Sequence, residues 1–505
     1  MDKWKKLWPG LVLVALCGII LCSRLHTYNE PLERDITIYA VIAHEMRAGR
    51  ALYSDLWDHK PPAIYVSFEA AELVAGYGRR SIFLVNILAT LGTMIACYVA
   101  GSAEGAGRMG GLVAATLWAF VSGDIAFEGN QPNTEVFLNA FLTAGFAVFI
   151  RAQKENLGPL RALVAGLFFA IASLYKQVVI AEAALLALAY LVWTPTGARK
   201  KAIVDLALFG SVGAAAWAAV SGYFAARGHG QAFFDAVITY NRWYSSSSWH
   251  KDFDKLPFII TPDGLSIMVC IGSLFVMGLI FGFISGPRRP WVLLLAFAIA
   301  TQIAVLSPGR FHQHYYQLLL PPLMIGAGWA VAMLRDILPA RLTWLSYATI
   351  GVVIMVIALL EAPYYRVPAE MWSVKKYGGV FVATDNLAHG IDHLLLPNET
   401  FYEWGNESGL YFTTARRPPS GIIFAYPVQD GPLASRLIQR LQDDVERAQP
   451  ELVVVNWEDM KKVGSALPLL KWCKQNYRPI YDTKIFLLLA RKGGRLDRQQ
   501  AMVAN

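Results

Sequence analysis

The sequence predicts a polytopic α-helical membrane protein of about eleven transmembrane helices, followed by a C-terminal soluble α/β domain. Of the 505 residues, 55% are hydrophobic, and the mean hydropathy is +0.39, which is too apolar for an ordinary soluble domain. Charged residues cluster between apolar runs of roughly 17 to 23 residues, the length a helix needs to cross the ~30 Å hydrocarbon layer. Backbone groups in lipid must bond internally, so these runs are expected to be helices.

The apolar runs predict a transmembrane domain over residues 1–360. Its first run follows a basic N-terminus as in a signal peptide, but it lacks a convincing small-x-small cleavage site, so we expect a retained helix. The predicted spans are 8–24, 80–100, 109–127, 134–151, 160–175, 178–193, 203–225, 264–284, 291–306, 316–334 and 342–360.

Basic residues favour one side of these spans, with Arg79 and Arg80 as the main exceptions. The positive-inside rule places that side, with the N-terminus, in the cytoplasm, and an odd number of spans places the C-terminus outside. The formal charge of +8 is spread over these loops, so no nucleic-acid partner is expected. The cytoplasmic residues are Lys3, Lys5, Lys6, Arg108, Arg151, Lys154, Arg161, Arg199, Lys200, Lys201, Arg288, Arg289, Arg335 and Arg341.

The polar connectors fall on the outer side, and the longest of the early ones is the loop 28–65. Within it, apolar residues recur at helical spacing from Asp35 to near Gly49, which predicts a short amphipathic helix. Pro61 and Pro62 are suited to open a second helix, because proline is tolerated in a first turn. The other outer connectors are 129–135, 175–177, 226–263 and 307–316.

After Pro363 the composition changes to a soluble α/β pattern, which predicts an extracytoplasmic domain over 361–505. The segments LPNETFYEWG and PELVVVNWED are typical of strands, and ASRLIQRLQDDVERAQ has the spacing of an amphipathic helix. The segment YRPIYDTKIFLLLARK resembles a closing hairpin.

Carboxylates and cations share the predicted outer side, and this combination suits the transfer of a sugar from a lipid phosphate. The acceptor hydroxyl needs a general base, and the departing phosphate needs its charge neutralised. The five cysteines show no disulfide framework and no metal-ligand spacing.

Several motifs, in order along the outer side, resemble the GT-C membrane glycosyltransferases, specifically the bacterial family 39 relatives. That family includes protein O-mannosyltransferases and the lipid A aminoarabinose transferase. The resemblance covers the membrane half, to about residue 360. The motifs are Asp35 with Tyr39-Ala40, Glu45-Met46 and Gly49, Asp58-His59-Lys60-Pro61-Pro62 with Tyr65, Asn133-Thr134-Glu135, Tyr175-Lys176-Gln177, and Arg310 to Tyr316 before Leu320-Pro321-Pro322.

The resemblance implies an inverting transfer of a sugar from a polyprenyl phosphate at the outer face of the bacterial inner membrane. It implies that Asp35 is the catalytic base and that Lys60 reaches the lipid phosphate. The chain departs from many relatives in having Ile36 after the base and His59 before the Lys-Pro pair. Both departures leave metal use and sugar recognition open, and a divalent metal is the one cofactor considered.

Each candidate has a simpler alternative. Asp35 could be no more than a helix N-cap, and Lys60 could simply extend to the lipid headgroups without binding phosphate. Glu135 could be a solvated carboxylate that caps the next span instead of a catalytic, acceptor-orienting group.

The remaining candidates concern phosphate and substrate binding. Lys176, Arg310, His312 and His314 are candidates for the donor phosphate, with a metal as a second use of the histidine pair. A harmless exposed lysine and a structural histidine pair are the alternatives. The candidate substrate-binding residues are Tyr39, His59, Arg242 and Tyr315, although interfacial aromatics are the default interpretation beside Arg242.

Two other functions stay open from the sequence. One is the transfer of a whole oligosaccharide from a lipid diphosphate, which needs a larger and more basic cavity. The other is a transporter or a non-catalytic lipid-binding scaffold, although no mid-span charge pair or matched broken helices are seen. The acceptor could be a lipid, a polysaccharide or a protein.

Overall fold

The computed structural model describes residues 2–103, 105–151, 156–252, 261–286, 288–460 and 467–503. Over these residues the chain is mostly helical, with one small sheet near the C-terminus. The helices of the first part are α1 (Asp2–His26), α2 (Arg34–Arg47), α3 (Ala63–Ala75), α4 (Arg79–Gly101), α5 (Gly107–Val121), α6 (Thr134–Ile150), α7 (Pro159–Ser173), α8 (Val179–Val192), α9 (Arg199–Ala226), α10 (Gly230–Phe234), α11 (Asn241–Asp252), α12 (Pro262–Ser285), α13 (Arg288–Leu306), α14 (Leu320–Ile337) and α15 (Trp344–Glu361).

Within the described residues, seven helical segments are long and apolar enough to cross a membrane: Leu7–His26, Arg79–Gly101, Thr196–Ala226, Pro262–Ile284, Arg288–Leu306, Gln313–Ile337 and Ala340–Glu361. Four shorter apolar helices are α5 to α8. Helices therefore occupy all the predicted positions, and the predicted fold class is confirmed. The number of actual crossings stays a prediction.

The outward faces of these helices are apolar. Val14, Leu160 and Ile284 leave 69%, 74% and 72% of their surface exposed, which would be costly in water and is expected against lipid tails. The predicted span 109–127 is too long, because α5 ends at Val121. The residues that follow form turns, in which Asp124 and Glu128 are buried.

The predicted loop 28–65 contains the first expected helix, α2, and the start of the second, α3, which continues to Ala75. Glu33 is the N-cap of α2, and its carboxylate accepts a hydrogen bond from the Asp35 amide at 3.1 Å. Asp35 therefore lies in the first helical turn, and the interpretation of Asp35 as only a cap is wrong. Helix α3 begins at Ala63, directly after Pro61 and Pro62, as predicted.

The last third of the chain folds as helices around a four-stranded sheet. Its helices are α16 (Ala369–Tyr377), α17 (Val380–Leu394), α18 (Gly409–Thr414), α19 (Tyr426–Gln429), α20 (Ala434–Ala448), α21 (Trp457–Met460), α22 (Leu467–Asn476) and α23 (Arg495–Val503). The strands are β1 (Phe401–Trp404), β2 (Leu452–Asn456), β3 (Tyr477–Asp482) and β4 (Phe486–Arg491), in the order β1-β2-β4-β3.

The sheet is mixed. β1 and β2 are parallel, while β4 is antiparallel to both β2 and β3, so the predicted closing hairpin is present. The strongly amphipathic α20 buries Leu437, Leu441 and Val445 and leaves its charged face outward.

Polar contacts attach this α/β segment to the first polar loop. The Thr37 and Ser408 hydroxyls are 2.7 Å apart, and the Arg34 guanidinium is 2.9 Å from a Glu407 oxygen. The Lys376 ammonium is 2.6 Å from Glu30, with both side chains 1% exposed. The segment therefore lies against the N-terminal end of α2, where Asp35 is found.

Candidate active site

A large cavity lined by many charged side chains lies between the membrane helices and the α/β segment. Its volume is about 1550 Å³. Helix α2, the turn before α3, the π-helical turn Asp235–Tyr240 with the start of α11, and the segment before α14 all contribute to its wall. Nine of the eleven predicted site residues line it: Asp35, His59, Lys60, Lys176, Arg242, Arg310, His312, His314 and Tyr315.

Asp35 and Lys60 form an ion pair at the cavity wall. The Lys60 Nζ atom lies 3.0 Å from Asp35 Oδ2, and the Tyr39 hydroxyl donates to the same oxygen at 3.2 Å. The ammonium also lies 4.8 Å from the centre of the Tyr39 ring. Lys60 is therefore held within the protein by Asp35 and Tyr39.

The charges around this pair determine its protonation. Burial alone would raise the pKa of Asp35, but Lys60 and the nearby histidines lower it below its usual range. Burial would lower the pKa of Lys60, yet Asp35 and Asp58 raise it above its usual range. Asp35 is consequently ionised and Lys60 is charged at neutral pH.

Glu135 and Lys176 form a second carboxylate–lysine pair. Lys176 Nζ is 2.6 Å from Glu135 Oε1, and it lies 3.5 Å from the centre of the Tyr315 ring. The Glu135 side chain is completely buried and does not line the cavity, whereas Lys176 does. The interpretation of Glu135 as a solvated carboxylate is wrong, and so is that of Lys176 as a harmless exposed lysine.

His312 and His314 lie together on the segment before α14. Their rings are stacked with centres 5.5 Å apart, and His314 Nδ1 is 3.0 Å from a Glu128 oxygen. Burial and then the charge of His314 lower the pKa of His312 to about 4, so His312 is neutral near pH 7. His312 therefore presents a neutral ring to the cavity, while His314 is paired with Glu128.

Arg310 lies between two tyrosine rings that come from different parts of the chain. Its guanidinium carbon is 4.3 Å from the ring centre of Tyr244, on α11, and 5.7 Å from that of Tyr426, on α19. It also donates a hydrogen bond to the Tyr426 hydroxyl. Arg310 is therefore the point where the membrane part and the α/β segment meet in the cavity wall. Arg242 is exposed on α11 nearby.

His59 is fixed by its neighbours along the chain and on α11. Its Nδ1 atom lies 3.0 Å from Asp58 Oδ1, and Asn241 donates a hydrogen bond to its backbone carbonyl. Its ring is 5.2 Å from that of Tyr244. His59, at which the chain departs from the family pattern, therefore lies directly in the cavity wall.

The structure adds two carboxylates that the sequence reasoning missed, Glu33 and Glu128. Glu33 is buried, and burial together with the charge of Asp35 raises its pKa to about 7. For Glu128, the hydrogen bond and charge of His314 outweigh burial and lower its pKa. Glu33 could have been predicted at the site because it stands two residues before Asp35. Nothing in the sequence pairs Glu128 with His314.

No group of three or more His, Cys, Asp or Glu side chains is arranged to hold a metal ion in the described part of the chain. Of the two histidines considered as metal ligands, His314 has its Nδ1 atom directed at Glu128. The arrangement offers instead carboxylate, ammonium and guanidinium groups around one space. These groups suit proton removal and anion binding.

The fold and cavity together define a multi-pass membrane protein with a polar, charge-paired site under an α/β segment. Residues 59–223, about a third of the chain, match the sequence profile of the dolichyl-phosphate-mannose-protein mannosyltransferase family. No curated protein sequence gives a significant match to the chain.

Solved structures match nearly the whole chain. ArnT from Cupriavidus metallidurans, in a crystal structure bound to undecaprenyl phosphate, has 16% identity and a TM-score of 0.64, with 96% of this chain and 98% of that chain covered. The apo crystal structure of that protein has 16% identity and a TM-score of 0.61, covering 96% and 97%.

The oligosaccharyltransferase AglB from Archaeoglobus fulgidus, in complex with an inhibitory peptide and a dolichol-phosphate, is also similar. It has 15% identity and a TM-score of 0.56, with 94% of this chain and 73% of that chain covered. The resemblance stated from the sequence is therefore confirmed: the chain has the fold of the GT-C membrane glycosyltransferases and is similar to their family 39 members.

Proposed function

We propose that this chain transfers a sugar from a polyprenyl phosphate to a hydroxyl of an extracytoplasmic acceptor, with inversion at the anomeric carbon. The observation that carries the proposal is the Asp35–Lys60 pair at the wall of the cavity, 3.0 Å apart. The fold similarity to a protein crystallised with undecaprenyl phosphate supports the choice of donor.

Asp35 acts as the base in this reaction. The acceptor oxygen forms a bond to the anomeric carbon, the bond from that carbon to the phosphate oxygen breaks, and the acceptor proton moves to Asp35. The electron pair of the broken bond stays on the polyprenyl phosphate. Positioned proton transfer of this kind contributes about 10²- to 10⁴-fold to rate.

Lys60 links donor binding to the basicity of Asp35. While Lys60 holds Asp35, the lowered pKa makes the carboxylate a weak base. A donor phosphate in the cavity competes for the same ammonium, and a shift of Lys60 toward the phosphate raises the pKa of Asp35. The base thus becomes stronger once the donor is in place.

Lys176 and Arg310 complete the donor phosphate site in this proposal. Both line the cavity, and each is held against an aromatic ring, Tyr315 for Lys176 and Tyr244 for Arg310. His312, His314 and Arg242 lie in the same wall and are proposed to contact the donor headgroup or phosphate. Tyr39, His59 and Tyr315 are proposed to orient the substrates, and Glu135 holds Lys176 in position.

The proposed setting is the bacterial inner membrane, with the N-terminus in the cytoplasm. Residues 1–360 then form the catalytic transmembrane domain, and residues 361–505 form a periplasmic domain over the site. The basic residues of the short connectors support this orientation through the positive-inside rule.

Transfer of an oligosaccharide from a lipid diphosphate is the second candidate. The cavity of about 1550 Å³ exceeds the roughly 300–1000 Å³ of most small-molecule sites, and AglB has a similar fold. The described lining offers Lys60, Lys176, Arg242, Arg310 and Arg34 as permanent cations, and three of them, Arg34, Lys60 and Lys176, are paired with carboxylates.

The test compares two labelled donors with the purified protein in lipid nanodiscs. The first kind of donor is a monosaccharide on polyprenyl phosphate, tested with several different sugars. The second kind is an oligosaccharide on polyprenyl diphosphate. The proposal expects release of free polyprenyl phosphate from one of the monosaccharide donors. Turnover of the diphosphate donor alone would favour the second candidate, and turnover of neither would contradict both.

A further inference from the structure

One part of the cavity wall extends beyond the groups assigned to the donor, although its Tyr244 and Tyr426 also contact Arg310. It consists of Trp243, Tyr244, Asn406, Tyr426, Gln429 and Asp430, and we call it the aromatic–amide wall. We infer that this wall binds the acceptor and that the acceptor is a glycan. The inference rests on the proposed transferase function and adds to it the class of the second substrate.

The wall is one continuous surface built from two distant parts of the chain. The rings of Tyr244 and Tyr426 are 5.9 Å apart, and Trp243 packs so closely on Gly431 that a Cβ atom there would lie 3.0 Å from its ring. Gly431 also has a φ of +114°, a backbone conformation that favours glycine. These contacts hold α11 against the segment that carries Gln429 and Asp430.

The cavity has room for two substrates, and the wall lies beside the proposed reaction centre. Its volume of about 1550 Å³ is larger than the roughly 300–1000 Å³ of a single small-molecule site. From the wall, Tyr244 contacts His59, whose chain neighbour Lys60 pairs with Asp35. The wall and the base therefore line the same cavity, and His59 and Lys60 connect them.

The chemistry of the wall fits a sugar ring. A pyranose offers a face of C–H groups to an aromatic ring and a rim of hydroxyls to amides and carboxylates. Trp243, Tyr244 and Tyr426 supply aromatic faces with polar tips. Gln429 and Asp430 supply hydrogen-bonding groups, and the amide nitrogen of Gln429 has no hydrogen-bond partner among the described residues. Asn406 supports the wall, because its side chain accepts from the Tyr426 amide and donates to Asp459.

The same wall is poorly suited to an extended peptide. Peptides are often bound by adding a strand to a free sheet edge. Within the described residues no strand lines the cavity, so neither edge strand of the sheet, β1 or β3, offers its backbone there. Helices, turns and side chains form the wall, and they present no row of backbone groups for an incoming chain.

Direct binding tests this inference separately from turnover. A panel of short soluble oligosaccharides and a Ser/Thr-containing peptide are added to the full-length protein in nanodiscs, and binding is followed by saturation-transfer NMR. The variants are Gln429→Ala and Asp430→Asn. Gln439→Ala is the matched control, because Gln439 is exposed on α20 and bonds Asp443 away from the cavity.

The inference expects at least one oligosaccharide to bind and Gln429→Ala to weaken its affinity about 2- to 10-fold, the effect of one hydrogen bond. Asp430→Asn, at an exposed position and with an oxygen kept for the Gly431 amide, weakens oligosaccharide binding as well. Gln439→Ala binds the oligosaccharide like the native protein, and no variant changes the affinity for undecaprenyl phosphate. Binding of the peptide alone, or oligosaccharide binding that neither variant weakens, would overturn it. If the native protein binds the oligosaccharide but turns over no donor, the result counts against the proposed function and not against this inference.

Discussion

Two carboxylate–lysine–tyrosine groups stand at the same cavity, and they differ in access. In the first, Asp35 keeps 32% of its side chain exposed beside Lys60 and Tyr39. In the second, Glu135 is completely buried beside Lys176 and Tyr315. The lysines are similarly exposed, at 18% and 16%. Only one of the two carboxylates can therefore meet a substrate.

This difference separates proton chemistry from positioning. A base must reach the proton that it removes, and Asp35 lines the cavity whereas Glu135 does not. Glu135 instead supplies a buried countercharge that fixes Lys176, whose ammonium faces the cavity. We therefore propose different roles for the two similar groups of residues because their burial differs, and breaking each group should have a different consequence.

The largest effect on stability is expected for Lys176→Met. The substitution leaves Glu135 buried without its cation, and an uncompensated buried charge costs about 3–5 kcal/mol of unfolding free energy. Chemical denaturation of the detergent-solubilised protein measures this loss. The double variant Lys176→Met/Glu135→Gln should regain most of the lost unfolding free energy. If Lys176→Met alone were as stable as the native protein, Glu135 would not be a buried countercharge to Lys176.

A smaller effect comes from Glu33, the buried cap of α2. Its pKa is about 7 in the folded protein against an ordinary 4.5, so the folded state holds its proton more tightly. The stabilisation of the folded state by this proton is fully present below pH 4.5. About 3 kcal/mol of unfolding free energy is then lost as the pH rises from 4.5 through 7. The pKa of Asp35 is lowered, so its own contribution changes only at more acidic pH.

Glu33→Gln keeps an oxygen that can cap α2 but removes this titration. Unfolding free energies of the native protein should fall between pH 4.5 and pH 7, and those of the variant should fall less. Parallel curves for the two proteins would mean that Glu33 does not titrate in this window.

The smallest effect on stability is expected for Lys60→Met. Asp35 is partly open to the cavity, and an ion pair with that access contributes about 1 kcal/mol or less. Affinity for undecaprenyl phosphate should fall about tenfold, because a charge-assisted hydrogen bond to the phosphate is lost. If Lys60→Met lost as much stability as Lys176→Met, the Asp35–Lys60 and Glu135–Lys176 pairs would be equivalent, and the proposed difference between them would be refuted.

The sequence predicted the elements that follow from local patterns. The apolar runs gave the helix positions, Pro61 and Pro62 marked the start of α3, and alternation and amphipathicity marked the strands and α20. Nine of the predicted site residues line one cavity because they lie on connectors that share a side of the predicted membrane topology. Their roles remain predictions.

Contacts between distant segments could not be predicted in the same way. Glu128 meets His314 across 186 positions, and Tyr426 meets Arg310 across 116. No periodicity in the sequence encodes such pairs, which depend on how the α/β segment lies on the membrane part. The burial of Glu135 was missed for the same reason, since a carboxylate at a helix start is usually solvated.

The central claim is that Asp35 is the base of a sugar transfer from polyprenyl phosphate. The measurement is the release of free polyprenyl phosphate from the active labelled donor by the native protein, by Asp35→Asn and by Asp336→Asn, a control at an exposed aspartate paired with Arg335. We expect Asp35→Asn to lower the rate about 10²-fold or more while donor binding persists, and Asp336→Asn to match the native protein. Release by Asp35→Asn at the native rate would contradict the claim.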